Sequence, residues 1–328
     1  VFTSLGGETV FTLNRKRAER LREGRPQWTD AGGLKAYQEK VRHAALERSA
    51  YKPVSGAVPV TGYGTLQRDG YRIEKFTYES EPGVFIPSLL YVPGSGSTRK
   101  PAVLIADGVG KSSAATVAAK LVRTGVIVLS MDLRGIGETQ IASGLNDSES
   151  YRYFGDYEDG MTAIMMNRTL AGMRAGDITR GLDMLAARQD VDVDKVTAIG
   201  RNGGAIPLLY AALFDKRIKA LALEDMLVSY TAVATTPMQR LIFEQIVPGA
   251  LLDFDLPGLV SAVAPRTVWI SDPMTPTGTA VPYAEFAETY APAIRAFSLA
   301  GASSALQLKH SRPGDERAAE YYRELLNR

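Results

Sequence analysis

From residue 101 to the end, short apolar runs alternate with stretches of helical periodicity. The runs are Ala102–Ala106, Val126–Met131, Val196–Ile199, Ile218–Leu223, Thr267–Ser271 and Leu306–Lys309. Continuous runs of about five residues suit strands buried on both faces, and helices between them suit a parallel sheet. The pattern predicts helices near 112–124, 161–188, 203–214, 283–298 and 314–327. Upstream the rhythm differs. Residues 71–79 alternate apolar and polar, Glu81-Pro82-Gly83 turns the chain, and 84–92 returns, which predicts a hairpin. Residues 14–23 and about 33–48 read as charged helices, with Asn14 and Thr29 or Asp30 as N-caps. Gly94-Ser95-Gly96-Ser97 reads as a surface loop. The expected organisation is an N-terminal helical and hairpin extension over 1–95, packed on an α/β core over 96–328. Inserts at about 133–160 and 229–264 follow strands on the active face and suit lids.

Composition narrows the chemistry. The 38 basic and 36 acidic residues form no basic run, so nucleic acid and anionic membranes are poor partners. No apolar stretch approaches a membrane span. Without cysteine there is no disulfide, thiolate site or cysteine nucleophile. Two distant histidines, His43 and His310, with no acidic cluster of ligand spacing, predict neither a metal nor another cofactor. His43 lies in a charged helix and reads as a solvated residue. The start at Val1 without a leader leaves a removed export leader or a fragment open. The first would suit a periplasmic or secreted protein. The second would suit an upstream domain; a homo-oligomer is a further open expectation.

Residues 196–204, Val-Thr-Ala-Ile-Gly-Arg-Asn-Gly-Gly, outline a strand, a sharp turn and a helix start. They match the G-x-S-x-G nucleophile elbow with Gly200 and Gly204 in place and Asn202 where serine belongs. An amide there cannot be deprotonated to attack an ester. Asp272 follows one predicted strand and His310 follows the last, completing the order nucleophile, acid, base. Glu224 and Asp225 are rivals for the acid. The loop Asp107-Gly108-Val109-Gly110-Lys111 and Gly203 would supply oxyanion donors, from Gly108 or Val109 and from Gly203. A P-loop reading fails because its first glycine would fall at Ile105, inside a strand. Asp132 and Arg134 are expected to pair and hold their loop. Tyr151, Tyr153, Phe154 and Tyr157 form an aromatic group in the first insert, suited to lid packing or a sugar platform.

From about residue 70 onward the chain resembles the acetyl xylan esterase-like branch of the α/β-hydrolases, related to dienelactone hydrolases. The resemblance rests on Asp69-Gly70-Tyr71-Arg72-Ile73-Glu74, Ile86-Pro87-Ser88-Leu89-Leu90-Tyr91-Val92-Pro93, the Asp107-Gly108 loop, residues 132–138 and Gly200-Arg201-Asn202-Gly203-Gly204. It implies an α/β-hydrolase fold and a serine esterase of acylated polysaccharide or small acyl esters, with Asp272 and His310 as acid and base. Asn202 departs from that pattern. Three readings stay open: an esterase-like protein with its serine replaced, a binding or interaction module that recognises an acylated sugar, and chemistry without serine. The last would use Asn202 deamidated to an aspartate nucleophile, or His310 as base. A serine from elsewhere, Ser130 or Ser229, would rescue an ordinary mechanism.

Overall fold

The structure, a computed structural model, describes residues 5–25, 28–94, 99–140, 157–240 and 242–327. Its centre is one nine-stranded sheet. The strands are β1 (Val60–Arg68), β2 (Tyr71–Glu81), β3 (Val84–Pro93), β4 (Lys100–Asp107), β5 (Ile127–Met131), β6 (Val191–Arg201), β7 (Ile218–Glu224), β8 (Thr267–Ser271) and β9 (Leu306–Lys309). Their order is β1-β2-β3-β5-β4-β6-β7-β8-β9. The first three strands and the β3–β5 pair are antiparallel; every pair from β5 to β9 is parallel. Successive strands run outward in opposite directions from β4, with β5 on one side and β6 on the other. Such a reversal opens a crevice at the carboxyl ends of the strands.

Burial follows the pattern. Val103 and Ile105 of β4 face one apolar core, against Val117, Leu121 and Trp269. Leu104 and Ala106 face the other, against Ile178, Leu182, Leu208 and Leu259. The helix Ala115–Val122 thus covers one face, while Leu170–Ala186, Ala205–Phe214 and Leu256–Val263 cover the opposite one. The predicted strands from residue 71 onward are all present.

The differences have local causes. The first helix spans Val10–Glu23, capped by Thr9 through a reciprocal box with Thr12, so Asn14 lies inside it. Asp30 caps the second, Ala31–Ser49. The helix expected over 161–188 is two, Tyr157–Met165 and Leu170–Ala186, because Asn167 adopts φ 55° and Thr169 caps the second. Likewise Tyr283–Thr289 and Ala291–Leu299 replace one helix, with Pro292 in the first turn of the second. Strand β1 escaped the sequence reading because every residue in it is exposed, leaving no burial alternation. Residues 95–98 of the expected Gly-Ser loop lie outside the described residues.

Two helix ends meet at one contact. The Thr169 hydroxyl donates to Ser49 O at 2.7 Å and accepts from Gly172 N at 2.9 Å. One side chain thereby meets an orphan carbonyl and an orphan amide. A Cβ on Gly172 would lie 2.0 Å from Ser49 O, whereas one on Gly176 would touch nothing. Gly172→Ala is therefore expected to destabilise by roughly 1–3 kcal/mol through overpacking. Gly176→Ala should stabilise by roughly 0.5–1 kcal/mol through helix propensity. Urea unfolding of the two variants beside the parent checks the opposite signs.

Candidate active site at the head of strand β6

Strand β6 ends at Arg201, and Asn202–Gly204 form a single 3-10 turn leading into the helix Ala205–Phe214. Asn202 stands at the bend with φ 51°. Asparagine enters this left-handed region more readily than most residues, so it holds the turn at small cost. The glycines around it are steric necessities. A Cβ on Gly204 would lie 2.2 Å from Ala106 O, and one on Gly108 would lie 2.3 Å from Gly203 N. The β4 loop and the turn therefore touch backbone to backbone.

Asp107, at the end of β4, ties them further. Its Oδ1 accepts Asn202 Nδ2 at 3.2 Å and Val109 N at 2.9 Å. Gly108 N donates to Arg201 O at 3.0 Å. Of the three residues expected to supply oxyanion donors, Gly108 and Val109 thus have their amides engaged within the scaffold. All three line a cleft of about 550 Å³, with Asn202, Asp225, Leu227, Arg240 and Glu244. Glu244 crosses directly over the turn: a Cβ on Gly203 would lie 2.7 Å from its Oε1. Its Oε2 accepts Arg174 Nη1 at 2.6 Å, and Arg174 is fully buried.

The candidate acids lie close together at the ends of β7 and β8. Asp225 and Asp272 share the left-handed backbone region, at φ 53° and 51°. Asp272 Oδ2 accepts the backbone N–H of Arg312 at 2.8 Å. The Arg312 side chain lies 3.3 Å from Glu224 and 3.6 Å from Asp225. His310, two residues earlier, is exposed and stacks on Tyr283, with ring centroids 3.8 Å apart. Burial, opposed by Arg312, raises the Asp225 pKa. Of the expected acids and base, Asp225 is the one lining the cleft beside Asn202.

Glu224 is wholly buried, and its carboxyl accepts Tyr322 Oη at 2.6 Å. Burial raises its pKa from 4.5 to about 7, against the lowering pull of Tyr322, Arg201 and Arg312. Arg201 bridges the strand ends, 3.4 Å from Glu224, 3.7 Å from Asp107 and 3.0 Å from Asp315. It immediately precedes the elbow residue, and the arginine–carboxylate cluster was not foreseen from sequence. An arginine inside the G-x-N-x-G turn is the signal that could have found it.

Other expectations need correction. Asp132 does not pair with Arg134. Its Oδ1 accepts Lys111 N at 2.6 Å, its Oδ2 accepts Glu138 N at 3.0 Å, and it pairs with the Lys111 ammonium. Arg134 instead makes a fork on Asp177 and reaches Glu81. The glycines explain the exchange, since a Cβ on Gly137 would meet the Asp132 carboxylate at 2.4 Å. Neither rescue serine is placed as a nucleophile. Ser130 is buried within β5, and Ser229 caps the helix Tyr230–Thr235 through Ala232 N. Tyr157 packs edge-on against Phe243, while Tyr151, Tyr153 and Phe154 lie outside the described residues.

Comparison with known proteins agrees with this architecture. Residues 15–275 match the model of the Abhydrolase family. A "Putative hydrolase YtaP" of Bacillus subtilis is 26% identical over 162 residues, 48% of this chain and 50% of that protein. The match thus spans about half the length of that relative. Among solved structures, a "putative acetyl xylan esterase" from Bacteroides fragilis superposes with a TM-score of 0.74 at 17% identity, covering 97% of this chain and 90% of that one. A glucuronoyl esterase from Solibacter usitatus gives 0.60 at 14% identity, covering 91% and 93%.

The Glu224 environment has a measurable consequence. Below about pH 4.5 the group is protonated folded and unfolded, and contributes nothing. As pH rises toward about 7 the unfolded chain ionises first, so this group makes stability fall; above that the penalty is complete. Glu224→Gln is expected to flatten stability across this window, as followed by urea midpoints at several pH values.

Proposed function

The chain belongs to the Abhydrolase family, and on that premise we propose that its cleft recognises an acylated carbohydrate within an esterase frame whose nucleophile position is held by Asn202. The observation that supports this most is the backbone contact between Gly108 and Gly203 at the head of β6. It places residue 202 at the apex of a strand-turn-helix bend that opens into a cleft of about 550 Å³. In an esterase such a bend presents one nucleophile beside backbone amides that stabilise the developing oxyanion. The acetyl xylan and glucuronoyl esterases of similar fold agree with an acylated sugar as the substrate class.

The chemistry assigned to each residue follows. Asn202 supplies an amide and no nucleophile, so acyl transfer to it is blocked. His310 is the base and Asp272 the acid that orients it; His310 must leave its stack on Tyr283 to reach residue 202. Gly203 and Val109 are the oxyanion donors, once Val109 N–H turns from Asp107. A binding module for the same ester is the second reading, favoured by the hold of Asp107 on both Asn202 and Val109, which keeps the apex in a resting arrangement. Deamidation is disfavoured by that same contact. An aspartate at 202 would face the Asp107 carboxylate within hydrogen-bond reach, and two such groups cannot both ionise readily.

The wild-type chain is expected to hydrolyse aryl acetates weakly or not at all, and Asn202→Ser to raise kcat/KM by roughly 10³-fold or more. Serine is smaller and fits the turn without overpacking. His310→Ala in the Asn202→Ser background should abolish the gain. Efficient hydrolysis by the wild type, with residue 202 intact by mass, would remove this reading.

A further inference from the structure

Three neighbouring strands end in the same unusual way. Asn202, Asp225 and Asp272 each follow the last residue of β6, β7 and β8, at φ 51°, 53° and 51°. The parallel register pairs Arg201 with Glu224 and Glu224 with Ser271, so the three residues form a row across the strand ends. Neighbouring strands lie about 4.8 Å apart, which puts Asn202 and Asp225 within reach of one small molecule. Both line the cleft of about 550 Å³. The esterase frame uses the first and third members of the row and gives Asp225 no task.

Asp225 differs from the carboxylates around it. Asp107 accepts Val109 N–H and the Asn202 amide, Asp272 accepts Arg312 N–H, and Glu224 accepts the Tyr322 hydroxyl. Glu244, also in the lining, accepts Arg174. Among the described residues the Asp225 carboxylate has one close partner, Arg312 Nε at 3.6 Å. Its side chain is 25% exposed, so water reaches it. Burial raises its pKa, as do the like charges of Asp272 and Asp107, against the lowering pull of Arg312 and Arg201. A carboxylate of raised pKa is a stronger base once ionised. Asn202 has a donor to spare. An amide nitrogen carries two hydrogens, and the Asp107 bond uses one while fixing the side chain at the turn.

We propose that the wild-type chain hydrolyses an ester slowly and without a covalent intermediate, with Asp225 as general base on a water and the Asn202 amide as an oxyanion donor. Asp225 takes a proton from a water whose oxygen adds to the ester carbonyl carbon. The carbonyl oxygen takes the electron pair and is held as an oxyanion by Asn202 Nδ2–H beside Gly203 N–H. Collapse restores the carbonyl and expels the alcohol oxygen, which receives the proton from Asp225. Acid and alcohol leave, and the carboxylate is regenerated. Residue 202 then acts as a donor, a role that side-chain amides fill in other oxyanion sites. The proposal rests on the reading that the cleft takes an ester, and adds a base and a donor that the serine frame does not use.

The probe is phenyl acetate with the full wild-type chain, followed by release of acetate above the buffer rate. Asp225→Asn and Asn202→Gly are expected each to lower kcat/KM about 10²-fold, through loss of the base and of the oxyanion donor. Asparagine and glycine both accept the left-handed backbone at these positions, so both variants should fold, as checked by urea midpoints. The wild-type rate should rise with pH as Asp225 loses its proton, then level off. The field there is set by Arg312, Arg201, Asp272 and Asp107, with Glu224 sharing Arg312. Asp225→Asn should remove that rise, and His310→Ala should cost less than Asp225→Asn. Overturning results are a wild-type rate no faster than buffer, a flat pH profile, a folded Asp225→Asn or Asn202→Gly that keeps the parent rate, or a loss in His310→Ala as large as in Asp225→Asn. Should a variant not fold, the pH profile of the wild-type chain decides. The serine reading fails alone if Asn202→Ser gains nothing while an Asp225-dependent rate persists; this one fails alone if Asn202→Ser gains while the wild type is silent.

Discussion

Everything at the site depends on a steric constraint: the backbone of the β4 loop lies directly against the backbone of the turn after β6. Side chains at Gly108 and Gly204 would collide with Gly203 N and Ala106 O at little more than 2 Å. This contact fixes where residue 202 stands, because the bend has no room to relax. It also fixes where Asp107 stands, close enough to hold the Asn202 amide. The reversal of strand order around β4 makes the contact possible, since β4 and β6 are neighbours whose following connections diverge to opposite faces.

Charge is clustered around that contact. Arg201 joins the ends of β4 and β7 to Asp315 near the C-terminal helices. Arg312 spans Glu224, Asp225 and Asp315 and gives its backbone N–H to Asp272. Buried carboxylates must be paired or protonated, and here both happen: Asp107 has donors around it, while Glu224 is held toward its neutral form by burial. On the other wall, Arg174 keeps Glu244 over Gly203.

The sheet from residue 71 onward was legible because its strands are buried runs of β-prone residues separated by helical periodicity. The turn was legible because a strained bend admits few residues, so Gly200, Gly203 and Gly204 are recognisable around Asn202. β1 was not legible, since a fully exposed edge strand with two glycines carries no alternation. Nor were the partners of charged residues. Asp132 stands two positions from Arg134, yet the chain direction after β5 turns Asp132 toward Lys111 and Arg134 toward Asp177. Sequence proximity says little where a loop reverses between the two residues. The spatial relation of His310 to the cleft was equally beyond reach, because the stack on Tyr283 joins the end of β9 to a separate helix.

The central claim is that residue 202 occupies a nucleophile's place in a frame otherwise able to activate one. Reaction with a fluorophosphonate tests it most directly, since that reagent phosphonylates an activated hydroxyl, with loss of fluoride, and leaves a mass tag that can be mapped to a residue. The account predicts no adduct on the wild-type chain and a single adduct at residue 202 in Asn202→Ser. An adduct on a wild-type serine, or a folded Asn202→Ser protein that stays unlabelled, would contradict it.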